Sequence, residues 1–197
     1  AIKGIVYDKD GVTELLNFGV PINHTITLLL GDRWSEASAQ VLRDLRLWKR
    51  MIETDSGHDI TGWQCWMGWK AMDCLLSQSA VLELLKYQVG PDIARKGRIA
   101  SLVGIEFEEY NNTFLTDAGV RTPYIAPNQL VLIGLGDEVF DAPYLSAVAD
   151  EDMQRQLFYS GSWIQEDPKG RWIYGEMRGA PVLKRPNAVV VVNVCDP

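Results

Sequence analysis

The longest regular pattern of apolar and polar positions runs over residues 34–56. Val41, Leu42, Leu45, Trp48 and Ile52 recur at helical spacing, while Arg43, Asp44, Arg46, Lys49, Arg50 and Glu53 fall mostly on the other faces. This predicts an amphipathic helix lying on a core. Ser35 stands where an N-cap belongs and Glu36 suits the positive end of the helix dipole. Gly57 follows the last periodic residue, as a left-handed terminating glycine does.

On either side of this helix the period shortens to two. Residues 2–7 and 13–18 flank Asp8-Lys9-Asp10-Gly11 and predict a hairpin, followed by an extended run over 24–30. Residues 62–68 form a short apolar run bracketed by glycines, which suits a buried strand. Residues 69–87 predict either one helix with a break or two in succession. Residues 99–110 predict a strand with Gly104 at its middle, 112–125 a second hairpin, 129–134 a buried strand and 144–153 a short helix. Residues 162–166 and 171–177 flank Asp167-Pro168-Lys169-Gly170, with proline and glycine placed for a tight turn. A last strand is expected over 188–194. The fold class is α+β, with two lobes: residues 1–29 together with 157–197, and residues 30–156.

Composition narrows the function classes. With 197 residues, 47% hydrophobic and 23% charged, the chain can bury one good core or two small ones. Its longest apolar runs fall far short of the ~20 residues of a membrane-spanning helix. The net charge of −7, with Lys and Arg scattered among acids, disfavours intimate nucleic-acid binding. Cys65, Cys74 and Cys195 form no CxxC pair and cannot all pair with one another, which suggests reduced thiols in an intracellular compartment.

Catalytic and cofactor patterns fail one after another. His24 and His58 are isolated and no paired metal-ligand spacing exists, so neither metal nor cofactor is expected. Residues 130–136 run like a strand into Gly134-Leu135-Gly136, but Val139 occupies the place of the third glycine of a dinucleotide loop. The two glycines then read as strand-end punctuation. Cys65 and Cys74 read as packing residues. The strongest enzyme reading is a carbohydrate-active site: Glu106 and Glu108 share one strand face about 7 Å apart, with Trp63, Trp66 and Trp69 as sugar platforms. The alternation with Ile105 and Phe107 instead makes these glutamates the solvent side of a half-buried strand, and no enzyme is expected.

The order of several stretches carries further information. Gly31-Asp32-Arg33-Trp34-Ser35, Asp44-Leu45-Arg46-Leu47-Trp48 and a Gly-Trp-rich strand leading to Lys70-Ala71-Met72 come first. Residues 97–107 (GRIASLVGIEF), Tyr124-Ile125-Ala126-Pro127, residues 162–168 (SWIQEDP), Gly179-Ala180-Pro181-Val182-Leu183 and Arg185-Pro186-Asn187-Ala188 follow. Together they resemble the phage lambda-like major capsid protein E family, over nearly the whole chain.

The resemblance implies the tailed-phage capsid fold of the Hong Kong phage type. Residues 30–156 would be its axial domain, and residues 1–29 and 157–197 strands of its peripheral domain. Nothing ahead of Ala1 matches the N-terminal arm, extended loop and spine helix of that family. The sequence is therefore expected to be the C-terminal part of a longer subunit or a shortened relative, one that folds without building shells. An apolar strip near Ile5, Trp172, Ile173 and Val190 would be uncovered.

The implied function is that of a major head subunit, a virion protein made in the bacterial host cytoplasm and assembling into an icosahedral shell around packaged DNA. A cellular encapsulating shell of the same architecture is the alternative within the structural class. Implied partners are other copies of the chain, scaffolding and portal proteins, a decoration protein where one is used, and DNA only non-specifically, with no membrane. Candidate inter-subunit loops are His58 and Asp59 on one side, and Asp137, Glu138, Asp141 and Tyr144 on the other, because both segments are rich in turn residues.

Overall fold

The computed structural model describes residues 3–8, 10–88, 101–137, 139–141, 158–167, 169–176 and 182–196, with the backbone alone at 85–88 and 141. Helix α1 spans Val41–Ser56 and buries Val41, Leu45, Trp48 and Ile52 of the predicted stripe, with Ser56 added and Leu42 only partly buried. It ends at Gly57, whose φ of 65° is the left-handed conformation that glycine adopts without a side-chain clash.

Its start lies elsewhere than expected. Gln40 is the cap residue and makes no side-chain cap bond, and Ser35 sits in a run of turns in which Glu36 N–H donates to Arg33 O and Ala39 N–H to Glu36 O. Trp34 explains the delay. Its ring is fully buried and stacks on Trp48, centroids 5.8 Å apart, while its Nε1–H donates to Asp44 Oδ2 at 3.2 Å. Burying an indole stabilises by more than the ~1 kcal/mol of a side-chain cap, so the chain turns inward before the helix begins.

Strands β1 (Ile5–Tyr7) and β2 (Glu14–Asn17) form the first hairpin. Next come β3 (Thr25–Thr27), then β4 (Gly62–Met67) after α1, and the helices α2 (Trp69–Ser77) and α3 (Ser79–Gln88). The expected strand over 99–110 is a tight hairpin, β5 (Ser101–Leu102) and β6 (Ile105–Glu109). It turns at Val103 and Gly104, with φ of 56° and 72°. Gly104 therefore reverses the chain instead of sitting within one strand.

Strands β7 (Thr113–Leu115) and β8 (Arg121–Pro123) pair as a small hairpin, and β9 (Gln129–Leu135) is the long buried strand. Then follow β10 (Phe140–Asp141), β11 (Tyr159–Gln165), β12 (Gly170–Glu176), β13 (Val182–Leu183) and β14 (Val189–Asn193). The helix expected over 144–153 lies outside the described residues.

Six described strands make one mixed sheet in the order β3-β14-β9-β4-β6-β5. Strand β9 runs antiparallel to both β14 and β4, while β3 is parallel to β14 and β6 is parallel to β4. Helix α1 packs on one face of this sheet: a Cβ on Gly134 would stand 3.0 Å from Ile52 Cγ2, and Lys49 Nζ lies 4.9 Å from the Trp63 ring centroid. Among the described residues no helix is long and apolar enough to cross a membrane.

The compact units divide the chain differently from the two expected lobes. Ala1–Val139 with Leu183–Pro197 form one unit, and Phe140–Val182 the other. Strand β14 accounts for the difference. Val189, Val190, Val191 and Val192 are all buried, so this strand needs cover on both faces and takes an interior place between the edge strand β3 and β9. Strands β3 and β14, one from each chain end, thus share a sheet with β9 and β4 of the middle. Val190 is buried and does not belong to an uncovered strip, whereas Trp172 and Ile173 in β12 are 55% and 80% exposed. Ile5 is partly covered.

Candidate assembly loops

Gly62 at the start of β4 pairs with Leu135 at the end of β9. The segment entering β4 and the segment leaving β9 must therefore emerge at the same end of the sheet. Thr61 N–H fastens them by donating to Leu135 O at 2.8 Å. Gly136 lets them touch: a Cβ there would stand 2.6 Å from Asp59 O and 2.8 Å from His58 Cδ2, closer than side-chain carbons approach. The glycine that reads as strand-end punctuation is thus a contact point between two loops that lie far apart in sequence.

Of the candidate residues, the structure brings His58, Asp59 and Asp137 to this end. Asp59 and Asp137 are exposed and His58 is half-buried. The His58 Nδ1 lies 3.4 Å from Ser56 O, and its Nε2 is buried without a hydrogen-bond partner. Asp141 lies in β10. Glu138 and Tyr144 lie outside the described residues. The exposed described residues of this end include the two carboxylates Asp59 and Asp137.

The carboxylate pair has a different setting. Glu106 and Glu108 are exposed on β6, with Ile105 and Phe107 buried beneath, as the alternation predicts. Trp66 Nε1–H donates to Glu108 Oε2 at 3.1 Å. Trp63, an odd number of residues away on the same strand, faces α1 under Lys49, and Trp69 belongs to α2. The three tryptophans therefore do not share one platform beside the glutamates.

A groove of about 670 Å³ lies elsewhere, lined by residues that include Val41, Leu42, Arg43, Arg46, Arg50 and Gln78. Among the described residues, its lining holds no carboxylate, imidazole, thiol or hydroxyl that could act as nucleophile or base. Among the described residues no three His, Cys, Asp or Glu side chains converge as metal ligands would.

Solved structures share this architecture. One assigned as a prophage capsid protein of Escherichia coli CFT073 is 20% identical, with a TM-score of 0.59 over 91% of this chain and 55% of its own. A phage-related protein of Bordetella bronchiseptica RB50 is 14% identical, with a TM-score of 0.52 over 88% and 56%. The mature capsid of bacteriophage PhiM1 is 12% identical, with a TM-score of 0.51 over 88% and 51%. The fold is that of tailed-phage capsid subunits, and the chain spans about half the length of the structures it matches. No curated protein matches the sequence. The model of the family described as phage major capsid protein E matches residues 1–194, and the chain belongs to that family.

Proposed function

We propose that the protein is a structural subunit whose copies close into the icosahedral head of a phage or prophage, enclosing packaged DNA. The family match over residues 1–194 carries this reading. The net charge of −7 suits a wall that confines DNA by repulsion and grips it nowhere. Scaffolding and portal proteins are the expected partners besides other copies of the chain, with synthesis in the bacterial cytoplasm before assembly into the virion.

Within that reading, the helix-covered sheet serves as the axial part of the subunit. Its His58–Asp59 and Asp137 end faces the five- and six-fold axes, where each copy presents one surface to a different surface of its neighbour. The convergence of two loops on Gly136 supports this, because a ring contact needs a rigid end and the close packing supplies one.

Charge reversal tests the assignment. In the subunit expressed at its full natural length, Asp59→Lys with Asp137→Lys is expected to reduce closed particles seen by electron microscopy while the circular-dichroism spectrum and melting profile of the subunit stay unchanged. Undiminished particle yield would remove these loops from the axes.

A further inference from the structure

The groove on α1 takes no part in the loop end assigned to the symmetry axes. Its lining includes Arg43, Arg46 and Arg50 with the apolar Leu42 and Leu47. Steps of three and four residues set the arginines on the helix face opposite the buried stripe of Val41, Leu45, Trp48 and Ile52. All three are exposed, and Leu47 beside them is 54% exposed. Among the described residues none of the three guanidinium groups forms an ion pair: the pairs present join His24 to Asp55 and Arg33 to Asp196. Arg43 Nη1 donates instead to the neutral Gln40 Oε1 at 3.0 Å. In a chain of net charge −7, such a cluster of cations attracts carboxylates from outside the subunit.

Matching carboxylates stand on the other face of the sheet. Paired residues of neighbouring strands point to the same face, and Gln64 pairs with Glu106 and Trp66 with Glu108. Trp63, one residue before Gln64, lies under Lys49 of α1. Glu106 and Glu108 therefore point away from the helix, and both are exposed. The Trp66 bond holds Glu108 Oε2 at 3.1 Å and leaves Oε1 for a further donor. The spacing fits as well: two residues along a strand advance about 7 Å, and the four from Arg46 to Arg50 advance about 6 Å along a helix. So does the order. Helix α1 ends at Ser56 shortly before β4 starts at Gly62, and β6 runs parallel to β4. Arg50 thus lies nearer the loop end than Arg46, as Glu106 lies nearer it than Glu108.

We propose that in the assembled ring the α1 groove of one copy receives the β6 face of the next, with Arg50 on the neighbour's Glu106 and Arg46 on its Glu108. This rests on the assignment of the loop end to the axes. A subunit whose loop end points at an axis turns one flank to each neighbour, and a closed ring needs those two flanks to be different and complementary. Helix α1 supplies a cationic flank and β6 an acidic one, on opposite faces of the same sheet. Guanidinium and carboxylate form paired, charge-assisted hydrogen bonds of fixed geometry. Charges so placed set the register of the contact and reject a copy that enters the wrong way round. The acidic balance of the chain favours carboxylates over the phosphates of DNA as the occupant.

The test is charge exchange in the subunit expressed at its full natural length. Arg46→Glu with Arg50→Glu, and separately Glu106→Arg with Glu108→Arg, are each expected to lower the yield of closed particles roughly tenfold or more, with the melting profile of the unassembled subunit kept. Combining all four substitutions is expected to restore the particles. Undiminished yield in either double variant, or no recovery in a fourfold variant that keeps its melting profile, would overturn the contact. Where a variant fails to fold, a cryo-electron microscopy map of the parent shell decides: the two arginines are expected within about 4 Å of the neighbour's two glutamates. A groove that faces packaged DNA, or that holds another segment of the neighbour, would overturn the proposal while leaving the structural role intact. A parent subunit that forms no shells would instead contradict the structural role itself.

Discussion

His24 and Asp55 meet across the molecule: the imidazole Nε2 lies 3.0 Å from Asp55 Oδ2 on the last turn of α1. The opposite ring nitrogen, Nδ1, lies 2.9 Å from Val189 O at the start of β14. A carbonyl only accepts, so Nδ1 carries the proton of that bond. The ring is fully buried, and it ties the end of the helix to β14. Asn187 Nδ2 adds a bond to Asp55 O at 2.9 Å.

Replacing His24 by Ala leaves Val189 O without its side-chain donor, removes the imidazole partner of Asp55 and opens a cavity. A loss of about 2–4 kcal/mol is expected in urea unfolding. Asp55→Ala should cost less, since Asp55 is partly exposed, and the double variant should lose less than the two single losses added together. Strict additivity would show that the pair does not act as a clamp.

Three glycines with different surroundings should respond differently to alanine. At Gly68 a Cβ would stand 2.3 Å from Ala126 O and 2.6 Å from Pro127 Cα, both backbone, and at Gly136 it would stand 2.6 Å from Asp59 O. At Gly62 its nearest neighbour would be Leu135 Cδ1 at an ordinary 3.6 Å. Thermal denaturation should therefore rank Gly68→Ala and Gly136→Ala as destabilised by roughly 1–3 kcal/mol, with Gly62→Ala within about 1 kcal/mol of the parent. Equal melting temperatures for all three would contradict the close-approach account.

Asp44 gives a pH dependence of defined sign. Desolvation raises its carboxyl above the ordinary 3.8, against the Trp34 hydrogen bond and Arg43, which lower it. The folded chain therefore holds this proton more tightly than the unfolded chain does. Its contribution makes stability fall as pH rises through the window just above 3.8, and level off beyond the raised value. Asp44→Asn removes that fall while keeping an acceptor for Trp34. The variant's stability relative to the parent should grow between pH 3.5 and pH 7 (roughly the carboxylate range), as read from urea midpoints. A difference that shrinks with pH would reverse the argument.

Periodic segments were legible from the sequence because their signal is local. The stripe Val41, Leu45, Trp48 and Ile52 and the alternation of Ile105 and Phe107 with the glutamates each need only near neighbours to be read. The helix start was not legible, because Trp34 stacks on a partner fourteen residues away, as does no cap residue. The place of β14 in one sheet with β9 was not legible for a related reason: it finds both its partners, β3 and β9, at long range. At the candidate site the turn residues marked the two loops, while their meeting depends on the Gly62–Leu135 register, which no local pattern encodes. The clamp of His24 on Asp55 was invisible for the same reason.

The most direct test of the account is a cryo-electron microscopy map of particles formed by the subunit at its full natural length. The account predicts closed icosahedral shells in which the loops carrying His58, Asp59 and Asp137 are the density nearest the five- and six-fold axes. Failure of that subunit to form curved, symmetric assemblies in its host would contradict the structural role. Shells in which those loops lie far from every axis would contradict the assignment of this end of the sheet.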